Sequence, residues 1–213
     1  MANVHAEELR MTEWDGGVLP YSVGHKKLGM WLFIVSDALT FSALLIGYSY
    51  LRVSTPNWPT PFHLWPSIAF SSLMTFCLLS SSLTMVLGVN AIQRNDRAGT
   101  IKWILLTIAG GVAFMGLHLK EWSNLFHEGI TLVSNPWGVP QFGATFFGIT
   151  GLHMFHVFTG VLYLAGMALG VSKGKYGAEH VEVCGLYWHF VDLVWMFVFP
   201  LVYLLSVKMV VPS

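Results

Sequence analysis

The stretch Gly185-Leu-Tyr-Trp-His-Phe-Val-Asp-Leu-Val-Trp-Met-Phe-Val-Phe-Pro200 decides the class of fold, because it places two polar side chains inside an otherwise apolar helical segment. His189 and Asp192 are three residues apart and therefore share one face of a helix. An ionisable group at membrane depth is costly, so it usually faces protein or a cavity and often marks function. The stretch therefore predicts a membrane helix with one polar face turned away from lipid.

The composition of the whole chain agrees with a membrane protein. Of its 213 residues, 54% are hydrophobic and only 10% are charged, whereas soluble domains carry roughly 25% charged residues. The mean hydropathy is +0.61. The formal net charge is zero, so the chain lacks the basic excess that is typical of nucleic-acid-binding proteins. These values predict an integral membrane protein that does not bind nucleic acid.

Five apolar runs reach the length of a bilayer-spanning helix, for which about 20 residues are needed. Segments rich in Pro, Gly, Ser and charged residues separate them. The sequence therefore predicts an all-α bundle of five transmembrane helices in a single membrane domain, residues 25–213, preceded by a polar segment, residues 1–24. The predicted spans are residues 28–51, 67–89, 102–119, 143–171 and 183–211.

The distribution of basic residues predicts the orientation of the helices. Eight of the eleven Lys and Arg residues lie on the side of the membrane that holds the N-terminus. Positive charge concentrates in cytoplasmic loops. We therefore expect the polar N-terminal segment to be cytoplasmic and the C-terminus to lie on the opposite side.

Five ionisable side chains are predicted to lie at comparable depth near the middle of the membrane: Asp37, His153, His156, His189 and Asp192. His153 and His156 share a helical face, as do His189 and Asp192. One interpretation is a cluster that exchanges protons or binds lipid headgroups. The other is a static hydrogen-bonded network that joins the helices, since polar contacts between membrane helices are common.

Two further features bear on metals and on the membrane surface. Carboxylate di-iron bundles use a Glu-x-x-His motif on each of two helices, whereas this chain has the reverse order, His118-x-x-Glu121 and His189-x-x-Asp192. We therefore expect no metal site. His118, Glu121 and Trp122 close the predicted third helix and are interpreted as a cap at the outer interface.

Three stretches, in this order along the chain, are similar to haem–copper oxidase subunit III. They are Leu28-Gly-Met-Trp-Leu-Phe-Ile-Val-Ser-Asp37, Gly143-Ala-Thr-Phe-Phe-Gly-Ile-Thr-Gly-Leu-His-Met-Phe-His-Val-Phe-Thr-Gly160, and the run from Glu182 to Trp195. The resemblance covers almost all of residues 25–210 and is strongest to the five-helix bacterial members of the family. Many other members have seven helices, and the first two of those have no counterpart here.

The resemblance implies an accessory subunit with no redox centre, whose haem and copper belong to its partner subunits. It implies direct packing on oxidase subunit I, near the entrance of a proton-uptake path, in a complex with subunit II and in some cases a small subunit IV. It also implies bound phospholipid and a bacterial cytoplasmic membrane, with the C-terminus periplasmic.

The resemblance also assigns expectations to single residues. Asp37 takes the position of the family's intramembrane Glu, and His118 that of a Gln. Lys173 and Lys175 are the nearest substitutes for an Arg that lies near lipid phosphate, so they are candidate headgroup ligands. Asp37 is the residue expected to matter most, either in collecting protons or as a hydrogen-bonding group.

Other roles remain open from the sequence. The chain could serve a quinol oxidase, or resemble the subunit-III-like accessory protein of a nitric oxide reductase, and its complex could join a larger respiratory assembly. An independent transporter is disfavoured, because we see neither the inverted repeats nor the broken midplane helices that are typical of transporters.

Overall fold

The computed structural model describes residues 24–208, so the predicted polar segment 1–24 falls almost wholly outside the described residues. Within the described range, five helices are long and apolar enough to cross a membrane, which confirms the predicted all-α bundle. They are α1 His25–Ser54, α2 Ala69–Gln93, α3 Arg97–His127, α4 Pro140–Ser172 and α5 Ala178–Val198. Short irregular helical turns precede α2, at Leu64–Ile68, and follow α5, at Phe199–Tyr203 and Leu204–Ser206.

Two predicted spans are corrected by the structure. The third, predicted as residues 102–119, extends over Arg97–His127. It begins early because the Asp96 carboxylate accepts a hydrogen bond from the Gly99 amide at 2.8 Å, which caps the helix, and it continues until Gly129 turns the backbone at a φ of 79°. The fifth span, predicted as residues 183–211, begins at Ala178 and ends at Ser206.

The end of the fifth span has a local cause. Pro200 has no amide hydrogen to donate to the helix, and from Phe199 onwards the regular α-helix is replaced by irregular turns. The chain is then extended at Val207, which pairs with Phe62 in the segment before α2.

Helices α4 and α5 form the centre of the bundle, and α1 lies at its edge. Half of the apolar stretch of α5 is buried, compared with 17% of that of α1. The two ends of α1 are fixed by polar contacts. Lys27 donates to Glu182 at 2.9 Å at one end, and the hydroxyls of Tyr48 and Ser206 are 2.9 Å apart at the other. Below, the side of the bundle with the first contact is called the Lys27 face, and the opposite side is called the Glu128 face.

Trp188 of α5 contacts the three neighbouring helices α2, α3 and α4 at the centre of the bundle. Its ring is fully buried, and it packs against Gly111 of α3 and Gly160 of α4 so closely that a Cβ atom at Gly111 would lie 2.5 Å from the ring. Its indole nitrogen donates to the Ser81 hydroxyl of α2 at 3.1 Å. This contact fixes the rotation of α5 and thereby aims His189 and Asp192, which follow it in the sequence.

Candidate functional site: three buried polar groups

The five intramembrane residues predicted as one cluster are divided by the structure. Asp37 of α1 and His156 of α4 face each other, with Oδ2 and Nε2 3.4 Å apart. His153 lies on the same helix as His156, one turn away. His189 of α5 faces α2 instead, where its hydrogen-bond partner is Ser82. The expectation of a single cluster at one site is therefore corrected. Asp37, His153 and His156 form the first of three groups, and His189 and Asp192 belong to the third, because α5 turns its polar face towards α2.

The contact between Asp37 and His156 pairs a half-buried carboxyl with a buried imidazole. His156 Nδ1 lies 2.8 Å from the Leu152 carbonyl oxygen, which only accepts, so Nδ1 is the protonated nitrogen. Nε2 then faces the Asp37 carboxyl. At 3.4 Å the two atoms are in contact without forming a hydrogen bond, and Asp37 Oδ2 has no hydrogen-bond partner in residues 24–208. The pair places a carboxyl and an imidazole side by side between α1 and α4.

His153 is enclosed by aromatic rings. It is 1% exposed, and its ring stacks on that of Trp195 with centroids 4.9 Å apart, while the edge of Phe114 closes another side. Neither of its ring nitrogens has a hydrogen-bond partner in residues 24–208. Buried polar atoms of this kind are usually satisfied by ordered water.

The second group corrects the interpretation of His118 and Glu121 as a cap at the outer interface. His118 is fully buried and Glu121 is 6% exposed. The hydroxyls of Ser71 and Tyr203 each donate to the Glu121 carboxylate at 2.7 Å, one to each oxygen, and His118 Nδ1 lies 3.7 Å from Oε2. Because α3 continues to His127, these residues lie inside the bundle rather than at its end.

Trp122, the third member of the predicted cap, is half-buried and packs edge-on against Phe147 of α4 at 5.5 Å. Glu121 also forms part of the wall of a cavity of about 510 Å³ that opens between α2 and α3 towards the Glu128 face. Lys120 and His127 line the same cavity. The second group therefore links α2, α3 and the turn after α5 just below this opening.

The third group lies between α2 and α5. The Ser82 hydroxyl is 2.6 Å from His189 Nδ1. Asp192, one turn further along α5, is 8% exposed, and its Oδ1 has no hydrogen-bond partner in the described part of the chain.

Lys173 and Lys175 lie apart from all three groups. Both are exposed in the short connection between α4 and α5, on the Lys27 face. Their position at the end of a membrane helix suits contact with lipid headgroups, but they do not contact the buried histidines or carboxylates.

Sequence reasoning missed the hydroxyl partners Ser71, Ser82 and Tyr203. Their types carry no signal by themselves, since Ser and Tyr are common in membrane helices. A geometric signal could have found them, because each hydroxyl must lie on another helical segment at the depth of the buried carboxyl or imidazole. The predicted spans give the depth of a residue only to within one helical turn.

Among residues 24–208, no group of three or more His, Cys, Asp or Glu side chains is close enough to hold a metal ion. The two cysteines, Cys77 and Cys184, are free thiols. Fold and site thus define a class: a polytopic helical membrane protein with histidine and carboxyl side chains inside the bundle and, in its described part, no residues arranged to bind a metal.

The comparisons with known proteins identify the family within this class. The family model for cytochrome c oxidase subunit III matches residues 19–207. The chain is 32% identical over 186 residues to cytochrome c oxidase subunit 3 of Alkalihalophilus pseudofirmus, covering 86% of this chain and 88% of the relative. It is 31% identical over 182 residues to quinol oxidase subunit 3 of Bacillus spizizenii, covering 84% and 86%. It is 35% identical over 189 residues to cytochrome c oxidase subunit 3 of a Synechocystis species, covering 85% and 78%. The chain belongs to the cytochrome c oxidase subunit III family.

Proposed function

We propose that this chain is the accessory subunit III of a proton-pumping haem–copper terminal oxidase in aerobic respiration. The observation that carries the proposal is the match of the subunit III family model to residues 19–207, which include every described membrane helix. Haem and copper are proposed to be held by the partner subunits. The chain would contribute to the complex by packing, by binding lipid and by supporting proton uptake.

Helix α1 is the proposed surface for oxidase subunit I. It is the least buried of the five spans, and large apolar side chains project from it, among them Leu32, Leu39 and Ile46, which are 65–70% exposed. Subunit II and a small subunit IV are further proposed members of the same complex.

A lipid site is proposed in the groove between α1 and α5. The groove has a volume of about 320 Å³, and its lining is apolar, with Phe41, Leu45 and Phe197 among its walls. An acyl chain suits such a lining. Lys173 and Lys175 are the proposed contacts for headgroups on the Lys27 face.

The proposed role in proton uptake rests on Asp37 and His156, whose Oδ2 and Nε2 atoms lie 3.4 Å apart between α1 and α4. We expect Asp37→Ala to slow proton uptake by the purified complex and to shorten the number of turnovers before inactivation. Ser36→Ala, at an exposed neighbouring position, is the matched control. Unchanged turnover, proton uptake and long-term activity in Asp37→Ala would contradict this role.

Cytochrome c is the proposed electron donor, and a quinol is the alternative, because the similar proteins include subunits named for both kinds of oxidase. The deciding experiment is to purify the complex through a tag on this chain, record its reduced-minus-oxidised spectrum, and assay oxygen consumption with each donor. Haem a with copper and oxidation of cytochrome c would support the proposal. Haem b or c without haem a would favour a quinol oxidase or a nitric oxide reductase, and a colourless, solitary protein would overturn the accessory role.

The proposed location is a bacterial cytoplasmic membrane, since the relatives compared are bacterial. In this placement the Lys27 face is cytoplasmic, as the basic residues predict, and the C-terminus is periplasmic. Proteolysis or labelling of a terminal tag in intact cells and in inverted vesicles tests the orientation.

A further inference from the structure

A cavity of about 310 Å³ enters the bundle from the Lys27 face between α2 and α5. Its polar lining consists of Lys27, Asn90, Gln93, Glu182 and His189. A cavity holds water when it is large enough and offers polar partners, and this one meets both conditions. It is separate from the contact between Asp37 and His156, to which none of its lining residues belongs.

Charged and polar side chains line the mouth of this cavity. Glu182 accepts hydrogen bonds from Lys27 at 2.9 Å and from Gln93 at 2.8 Å. The side chains of Lys27 and Glu182 remain 41% and 27% exposed. Charged groups at this exposure keep bulk water in contact with the opening.

The floor of the cavity is His189, which lies seven residues beyond Glu182 on α5, or about 10.5 Å deeper at the rise of an α-helix. Its Nδ1 is occupied by the Ser82 hydroxyl at 2.6 Å, which leaves Nε2 for the water of the cavity. Beyond it lies Asp192, more than nine-tenths buried, with an Oδ1 atom that lacks a partner in residues 24–208. A buried carboxyl oxygen without a protein partner calls for a water molecule or a proton.

We propose that this cavity is a water-filled proton inlet that ends at Asp192. A hydronium ion in the water of the cavity gives its excess proton to His189 Nε2 and is left as water. The imidazolium passes its Nδ1 proton to the Ser82 oxygen at 2.6 Å, and the Ser82 hydroxyl proton reaches the Asp192 carboxylate through a water molecule bound at its unpartnered Oδ1. His189 and Ser82 each gain one proton and lose one, and the proton comes to rest on Asp192. The inference deepens the proposed role in proton uptake, and the use of the inlet by the complex rests on that proposed function. The existence of the water path does not depend on it.

The alternative is a dry polar contact that only joins α2 to α5. Accessibility to a water-soluble reagent separates the two. The background is the complex in sealed membrane vesicles of either orientation, with Cys77→Ala and Cys184→Ala, to which Val86→Cys is added. Val86 lines the cavity, and its neighbour Leu87, at nearly the same depth, does not. Leu87→Cys is therefore the matched control.

The reagent is a cationic methanethiosulfonate, which reacts with the thiolate and hence only where water reaches the thiol. We expect Val86→Cys to react at least about tenfold faster than Leu87→Cys, and only with reagent added on the Lys27 face. Equal rates for the two variants, or reaction from the Glu128 face, would overturn the inlet.

A second measurement follows the proton itself and needs no added cysteine. The infrared carbonyl band of Asp192, identified by its loss in Asp192→Asn, should shift in D₂O, and His189→Phe should slow that shift by about tenfold or more. His180→Phe, on the same helix but outside the cavity, should leave it unchanged. An exchange rate unaltered by His189→Phe, or an Asp192 band that does not exchange, would overturn the proposal. Neither readout uses oxidase activity, so failure of the oxidase assignment would appear separately, in the haem spectrum of the complex.

Discussion

Glu121 is the buried side chain whose removal should weaken the bundle most clearly. Its two carboxylate oxygens accept hydrogen bonds at 2.7 Å from Ser71 of α2 and from Tyr203 in the turn after α5. Glu121→Ala removes both acceptors and leaves two hydroxyls without them. Interhelical hydrogen bonds in membranes contribute about 0.6 kcal/mol on average and up to about 1.7 kcal/mol each, so the two together amount to roughly 1–3 kcal/mol.

The matched control is Glu121→Gln, which keeps the shape of the side chain. Its amide oxygen can accept from one hydroxyl, and its amide nitrogen can donate to the oxygen of the other. We therefore expect Glu121→Gln to cost less than Glu121→Ala by at least about 1 kcal/mol in the free energy of unfolding.

The measurement is unfolding of the purified chain by SDS in mixed micelles, followed by fluorescence of its tryptophans, of which the chain has nine. Equal destabilisation by Ala and Gln would refute the reasoning, because Gln keeps the shape of the side chain and can still form a hydrogen bond with each hydroxyl. An Ala variant as stable as the wild type would refute it as well.

The same unfolding assay tests two other contacts. Gly111→Ala should cost about 1–3 kcal/mol, because the added Cβ meets the Trp188 ring. Gly116→Ala on the same helix, where a Cβ atom has no neighbour within 4 Å, should be neutral or stabilising by up to about 1 kcal/mol, and equal losses at both positions would contradict the close packing. Thr75→Val removes the hydroxyl that accepts from the indole nitrogen of Trp195 at 2.9 Å. Thr75→Val should cost about 1–3 kcal/mol in the free energy of unfolding, because the buried Trp195 N–H is left without an acceptor. Thr75→Ser, which keeps the hydroxyl, should be close to the wild type. A Val variant of unaltered stability would contradict this and show that water replaces the hydroxyl.

The number and order of the membrane helices could be predicted from sequence, because a span is recognised by the length of its apolar run and each run here reaches bilayer length. The ends of the spans were less predictable. The run of residues 102–119 stops at the polar sequence Lys120-Glu-Trp122, yet α3 continues to His127. Hydropathy places a helix end where polar residues begin, whereas the backbone ends its helix only where Gly129 permits the turn.

The positions of Asp37, His153, His156, His189 and Asp192 along the predicted helices predict their depth in the membrane, and helical periodicity places His189 and Asp192 on one face. Which neighbour that face meets was decided only by the tertiary structure. His189 lies against Ser82, 107 residues away, and Glu121 meets Ser71 and Tyr203, 50 and 82 residues away. Helices that are apolar on nearly every side have no strong amphipathic face to set their rotation. Their rotation is set by close packing, as at Trp188 between Gly111 and Gly160, and only this packing divides the buried polar groups among three sites.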